Sequence, residues 1–592
     1  MARLLTIVFL LSFSIVFAQS EQIAEDYFKR GDFEKALLAY QKLTEREPNN
    51  YKYTYKLIEI YQQLERFEEA QELLIDRIKR SRNPSILVEL GYNYQLKDSL
   101  VQAQQYYKLA QEGVEANPAY AYNVARQFEE HSLLDEAANV YKMAMRLVPT
   151  QNYNIQLARI YGQQGDIEQM FANYMDYVEN KPDFLNNAKR AFSEFISENS
   201  DSDNNQILRK LLLKKLQTSP DVYWYELLSW LYVQEKDFDK SFVQEKALYR
   251  RNPESLNRLV ELAVTTINEE QYSIATEIFN FILETTQDIA AKLMAHQYLL
   301  DMQTKTASRK DLPNIDAQYK LLFEQYGTFE QTVPLQIAYA HFKAFYQKQP
   351  EEASKFLKET LKLNLSNFQE ATVKMKLGDI LVLQEKFNEG LIYYSQIQAN
   401  LKNSSISQEA RFKVARTSYF KGDFKWAESQ LKILKSSTSQ LIANDALDLK
   451  LLISDNKYED SLQVALHLYA KADLMAFQNK KEESIQLLNQ ILEEHQGESI
   501  EDQALYKQAR LYEETNQLDK AIKNYERIIA NFKDEILADD AYYRLGDIYY
   551  LKLNEPEKAK ELYEQIIFNH EDSIFFVEAR KKYRMLRGDT IN

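Results

Sequence analysis

The stretch Asp32-Phe33-Glu34-Lys35-Ala36-Leu37-Leu38-Ala39-Tyr40 decides the fold, because it comes back. It returns as Arg66-Phe67-Glu68-Glu69-Ala70, Ser99-Leu100-Val101-Gln102-Ala103, Leu134-Asp135-Glu136-Ala137-Ala138 and Gly165-Asp166-Ile167-Glu168-Gln169-Met170. Aligned on Ala36, Ala70, Ala103, Ala137 and Met170, the segments are 34, 33, 34 and 33 residues apart. A large side chain follows four residues after each anchor: Tyr40, Leu74, Tyr107, Tyr141 and Tyr174. A small one precedes most anchors by twelve (Ala24, Gly91, Ala125, Ala158), and an aromatic by nine (Tyr61, Tyr94, Phe128, Tyr161). Pro48, Pro118, Pro149 and Pro182 close units. Each unit thus holds two apolar stripes of helical period, separated by a polar turn and stopped by proline. Small anchors let the two helices approach closely, and the aromatics fill the space between successive pairs.

The unit resembles the tetratricopeptide repeat, a 34-residue helix–turn–helix. Ser241, Ala275, Ala353, Gly390, Ala427, Ser484, Ala521 and Ala559 continue the frame, with spacings of 37 and 38 in the later units. The stretches 183–221, 288–332 and 440–464 lack anchors but keep helical periodicity, and read as degenerate units or spacer helices. The reading predicts an all-α solenoid of antiparallel helix pairs, with about 11 clear units and roughly two or three weak ones. It divides the chain into a segment 1–18, an N-terminal array 19–182, an irregular middle 183–332 of degenerate and regular units, and a C-terminal array 333–592 of longer repeats. Longer repeats imply a different superhelical pitch. Residues 480–592 are similar to the longer-repeat modules of exported bacterial proteins of outer-membrane assembly and cell-envelope maintenance.

Composition supports the same class. Gly (12) and Pro (11) are scarce in 592 residues, where average usage of the two is about 12%, too little turn chemistry for a sandwich or barrel. With 73 basic against 88 acidic residues, the net charge of −15 argues against a phosphate-backbone partner, so no nucleic acid is expected. MARLLTIVFLLSFSIVFAQS, with Arg3 before an apolar run and Val16-Phe17-Ala18 at its end, has the pattern of a secretory signal peptide cleaved after Ala18. Without cysteine there is no disulfide, no thiolate metal site and no acylated anchor residue, so a direct lipid anchor is not expected. The chain reads as exported and periplasmic, associated at most peripherally with the outer membrane.

No phosphate-cradling glycine loop, nucleophile elbow or His-Glu-x-x-His occurs. The six histidines (His131, His296, His341, His467, His495, His570) are too far apart in sequence to pair on a helix. Neither enzyme activity, cofactor nor metal is expected. The family resemblance implies a concave groove lined by first helices, with ligand-facing residues at positions 2, 5, 9, 12 and 13 when the anchor is position 20. Tyr55, Tyr122, Phe412, Tyr506 and Tyr543 fall at position 5, and Tyr92, Arg126, Arg159, Arg416 and Arg510 at position 9. An arginine one turn from an apolar or aromatic residue suits an extended peptide or acidic tail. An ion pair between each arginine and an acid of the next unit is the competing reading. The expected function is a non-catalytic envelope scaffold that binds protein partners, with a chaperone-like carrier of exported or outer-membrane proteins as the alternative. The basic segment Phe575–Arg587, with Arg580, Lys581, Lys582, Arg584 and Arg587, reads either as a polar cap on the array or as a docking site for an anionic surface.

Overall fold

The computed structural model describes residues 20–253, 256–434, 439–457 and 463–589. The expected leader at 1–18 lies outside the described residues. All regular elements among the described residues are helical, so the all-α paired-helix solenoid expected from the repeat is what the chain forms. Two compact units divide it, Met1–Pro253 and Glu254–Asn592.

The first unit opens with a helix at 20–29 against Phe33–Arg46. Pairs follow at Tyr51–Gln63 with Phe67–Arg80, Ser85–Leu96 with Leu100–Ala116, Ala121–Glu130 with Leu134–Leu147, and Asn154–Gln164 with Ile167–Asn180. The anchorless stretch 183–221 forms Leu185–Ser193 and Asp203–Thr218, both packed between their neighbours, with Phe192 edge-on to Phe171 at 4.7 Å. Val222–Gln234 with Phe238–Arg251 restores the regular pattern.

The anchors do what their size requires. Ala36, Ala70, Ala103, Ala137, Ala275, Ala353, Ala427, Ala521 and Ala559 are buried, as are Met170, Ser241 and Ser484. A second regularity accompanies them. The residue five before every anchor has a left-handed backbone: Gly31, Gly165 and Gly422, but also Glu65, Asp98, Ser132, Lys236, Glu270, Lys348, Glu385, Asn479, Asn516 and Asn554. The next residue's N–H returns to a carbonyl five back, as in Arg66 N to Tyr61 O (2.8 Å) and Gln517 N to Tyr512 O (2.8 Å). This is a Schellman-type helix end. Each non-glycine carries the steric cost of that conformation, and the closing hydrogen bonds and the buried pair offset it.

In the second unit the pairs are Leu256–Asn268 with Tyr272–Thr285, Ile289–Thr306 with Leu312–Tyr326, and Val333–His341 with Pro350–Thr360. Asn367–Leu383 with Phe387–Asn400 and Ser405–Phe420 with Phe424–Leu434 follow. After an unpaired helix, Gln440–Asn456, come Val464–Phe477 with Lys481–Glu494, Ile500–Glu514 with Leu518–Asn531, Ala538–Asp547 with Pro556–Asn569, and a final helix Phe576–Arg587. Two first helices end in a π-turn, Phe342–Tyr346 and Ile548–Lys552. There the closing bond spans six residues, Gln349 N to Lys343 O and Glu555 N to Tyr549 O. The extra residue of these units is absorbed inside the helix, which leaves the turn itself unchanged.

Candidate protein-binding face

Apart from the half-buried Tyr174, the tyrosine four residues after an anchor is buried, and its hydroxyl comes out beside the first helix of its own unit. There it donates to an acid: Tyr40 to Glu25 (2.8 Å), Tyr141 to Glu129 (2.9 Å), Tyr394 to Asp379 (2.7 Å) and Tyr563 to Asp547 (2.7 Å). Tyr525 does the same to Glu513, and Tyr107 donates to Gln95 at 2.8 Å. Burial, then the adjacent carboxylate, pushes the hydroxyl pKa of Tyr40, Tyr141 and Tyr394 up, so these tyrosines stay donors. First-helix carboxylates also meet a lysine one unit on: Asp379 with Lys413 (3.0 Å), Asp547 with Lys582 (2.5 Å), and Asp473, which accepts from Tyr419 (2.9 Å), with Lys507 (2.9 Å). The first-helix face therefore carries a preorganised ladder of hydroxyl, carboxylate and ammonium. The sequence did not mark these carboxylates and lysines as a ladder, and Lys582 appeared there only within the basic segment Phe575–Arg587. The one signal was the tyrosine four after the anchor, which reads as a packing residue.

In the first unit three of the five expected groove residues are open. Tyr122, Arg126 and Arg159 are exposed. Arg126 pairs with Glu130 of its own helix at 3.2 Å, and Arg159 pairs with no carboxylate among the described residues. Tyr92 stacks flat on His131 at 3.7 Å between centroids. His131 Nε2 sits 2.9 Å from the buried Glu89, which also accepts from Gln127. Tyr55 is half-buried, and the Arg77 guanidinium lies 4.4 Å from its ring and 4.4 Å from that of Tyr51.

In the second unit the same positions are packed. Phe412 is half-buried against the core. Arg416 lies 5.3 Å from the rings of both Phe420 and Phe477. Phe477 also meets Phe345 at 5.8 Å, and Gln478 Nε2 donates to Leu383 O (3.1 Å) and Glu385 Oε1 (3.1 Å). Near its other end, His467 lies against Phe424 at 4.7 Å. Helix Val464–Phe477 thus crosses the C-terminal ends of first helices that precede it by up to three units. It begins just after the unpaired helix Gln440–Asn456, which takes the place of the next first helix beside Phe424–Leu434. Arg510 pairs with Glu513 of its own helix at 3.6 Å. Tyr543 is stacked under Phe575 at 4.3 Å, and Lys582 donates to its hydroxyl at 2.8 Å. None of the four arginines forms an ion pair with an acid of the next unit among the described residues: Arg126 and Arg510 pair within their own helices, and Arg416 packs on aromatic rings.

Tyr506 donates to Asp540 at 3.0 Å, and its own pKa is pushed up to about 12, by burial first and then by that carboxylate. Asp540 lines a cavity of about 690 Å³ between the turns at 533–540 and 569–574, with Asp448, Asp539, Asp572 and His570. Burial, with Asp539 and Asp448 nearby, raises the Asp540 carboxyl pKa to about 6. Among the described residues no group of three His, Asp or Glu is placed to hold a metal ion.

Comparison with known families agrees with the repeats. The tetratricopeptide repeat family matches residues 27–88, 152–184, 503–534 and 540–573. No curated protein matches the chain. Among solved structures, Naa15/Naa10 bound to HypK-THB is 11% identical, with 96% of each chain covered and a TM-score of 0.29. The APC/C hetero-tetramer Cut9-Hcn1 is 12% identical, with 95% of each chain covered and a TM-score of 0.23. A tetratricopeptide repeat protein from Parabacteroides merdae is 14% identical over 56% of this chain and 98% of its own, with a TM-score of 0.24. The paired-helix architecture rests on the contacts above and not on these likenesses. The chain is an α-solenoid that carries tetratricopeptide repeats near both ends, the kind of repeat that serves as a protein-interaction scaffold.

Proposed function

We propose that the chain is an exported, envelope-associated scaffold whose first-helix face in the unit Met1–Pro253 binds extended acidic segments of partner proteins. The observation that carries this is the open set of Tyr122, Arg126 and Arg159, one residue of which has no internal carboxylate to satisfy it. Guanidinium groups grip carboxylates with paired hydrogen bonds, and an exposed tyrosine adds apolar area at little entropic cost. The Glu89–Gln127–His131–Tyr92 network fixes the neighbouring surface before any ligand arrives. A carrier of unfolded chains would need an apolar trough instead, and Arg126 and Arg159 put exposed charge on this face. Export is supported by the leader pattern ending at Ala18.

The test is fluorescence anisotropy of a labelled Glu/Tyr-rich peptide with the chain from Gln19 to Asn592. Binding should weaken with salt and fall at least about tenfold in R126A/R159A, the loss of one to two charge-assisted contacts. A lysine-rich control peptide should not bind. Equal binding by wild type and variant would sink the reading. The N-terminal residue of protein recovered from its own cells checks the export step: Gln19 is expected, and Met1 would contradict it.

A further inference from the structure

The final helix Phe576–Arg587 has two faces of different character. Inward, Ala579 is buried, Tyr583 donates to Glu564 at 3.0 Å, and Lys582 is spent on Asp547 (2.5 Å) and on the Tyr543 hydroxyl. At 100° per residue the outward face is centred on Val577, Lys581 and Arg584, with Arg580 and Met585 on either side. Val577 is 71% exposed and Met585 47%, and Ile574, in the turn that leads into the helix, is 85% exposed. Arg580 is exposed and makes no ion pair among the described residues. Arg584 and Arg587 share Asp589. Residues 574–589 hold five cations against two carboxylates, in a chain of net charge −15.

We propose that this outward face docks on an anionic phospholipid surface. The charge is complementary, and each cation has a long aliphatic stem that can lie along an interface while its head stays hydrated. Aliphatic side chains interleave with the cations on the same side, which is what a headgroup–acyl boundary takes up. The face is the convex side of a single helix, a shape that lipid headgroups can follow. With no helix among the described residues long and apolar enough to cross a membrane, the attachment is peripheral and reversible. It is independent of the peptide-binding face, and Lys582, which holds the helix to the array, takes no part.

The test is co-sedimentation of the chain from Gln19 to Asn592, which leaves out the apolar segment 1–18, with large unilamellar vesicles. Vesicles of equal parts phosphatidylcholine and phosphatidylglycerol should retain the protein, phosphatidylcholine alone should not, and salt should release it. Partitioning should drop at least about tenfold in R580E/K581E, since each cation near the surface contributes a large part of a decade. It should also fall in V577S/M585S. All four positions are exposed, and circular dichroism melting checks that both variants keep the wild-type fold. Failure of wild type to bind the anionic vesicles overturns the proposal. So does unchanged binding by R580E/K581E. If V577S/M585S binds as well as wild type while polyglutamate competes, the partner is an acidic protein and the lipid assignment is wrong.

Discussion

At Asp502 burial and hydrogen bonding pull a single side chain in opposite directions. Its carboxylate is buried and accepts from the Gln503 N–H, yet its pKa rises to about 6. Burial is the largest cause, and Glu535 and Asp455 add to it. For an acid, a folded pKa above the unfolded value means the native state holds more protons between the two. Stability therefore falls as pH rises through that window, from about 4 to about 6. Acidification from pH 7 to pH 5 should stabilise the second unit through this group by on the order of 1 kcal/mol. D502N should raise the pH 7 melting temperature and flatten that slope, as followed by thermal denaturation at both pH values. An unchanged slope would show that the carboxylate is more hydrated than its burial implies. The sequence offered no hint of this group, because its environment is made by acids 33 and 47 residues away.

Between two helices, the contact that sets the distance is the small residue twelve before the anchor with the tyrosine four after it. Gly378, twelve residues before the anchor Gly390, lies so close to Tyr394 that an added Cβ would fall 2.5 Å from the ring. Tyr394 is buried and its hydroxyl is tied to Asp379, so it has no room to swing aside. G378A should cost about 1–2 kcal/mol, overpacking less the gain in helix propensity. A chemical denaturation midpoint equal to wild type would show that the pair can widen.

This level of structure was largely legible in the sequence. Small anchors, aromatics at fixed offsets and closing prolines placed the pairs, and even the stretch 440–464 was read as helical without an anchor. The turns were not legible. A left-handed residue is usually announced by glycine, and here Glu65, Asp98, Ser132 and Lys236 take the position. The π-turns were hidden for a related reason: one extra residue looks the same whether it sits in a loop or in a helix. The face was legible in part. The family resemblance placed Tyr122, Arg126 and Arg159 on one side, but which hydroxyl meets which carboxylate depends on how helices cross.

Across the molecule, an array of this kind is held by nearest-neighbour contacts, and each pair adds its own increment. The second unit departs from that rule at Phe477 and Gln478, which reach Phe345, Leu383 and Glu385 across other pairs. Arg416 owes its packed state to this crossing, and the spacing of 57 residues between Ala427 and Ser484 was its only trace in the sequence. Under tension the two kinds of architecture part company. A simple solenoid pulled at its ends yields like a soft spring, turn by turn, with small and even steps. Here the Gln478 contact bypasses the intervening chain, so a load enters at one side of the crossing and leaves at the other without stretching what lies between. That segment should stay slack until the crossing gives way and then lengthen in one step. In an optical trap with handles at positions 367 and 494, wild type should show one abrupt release, and F477A/Q478A a gradual extension at lower force. A wild-type trace without the abrupt step would mean that the crossing bears no load. With it, one part of the second unit becomes a strut that holds its length until a threshold force is passed.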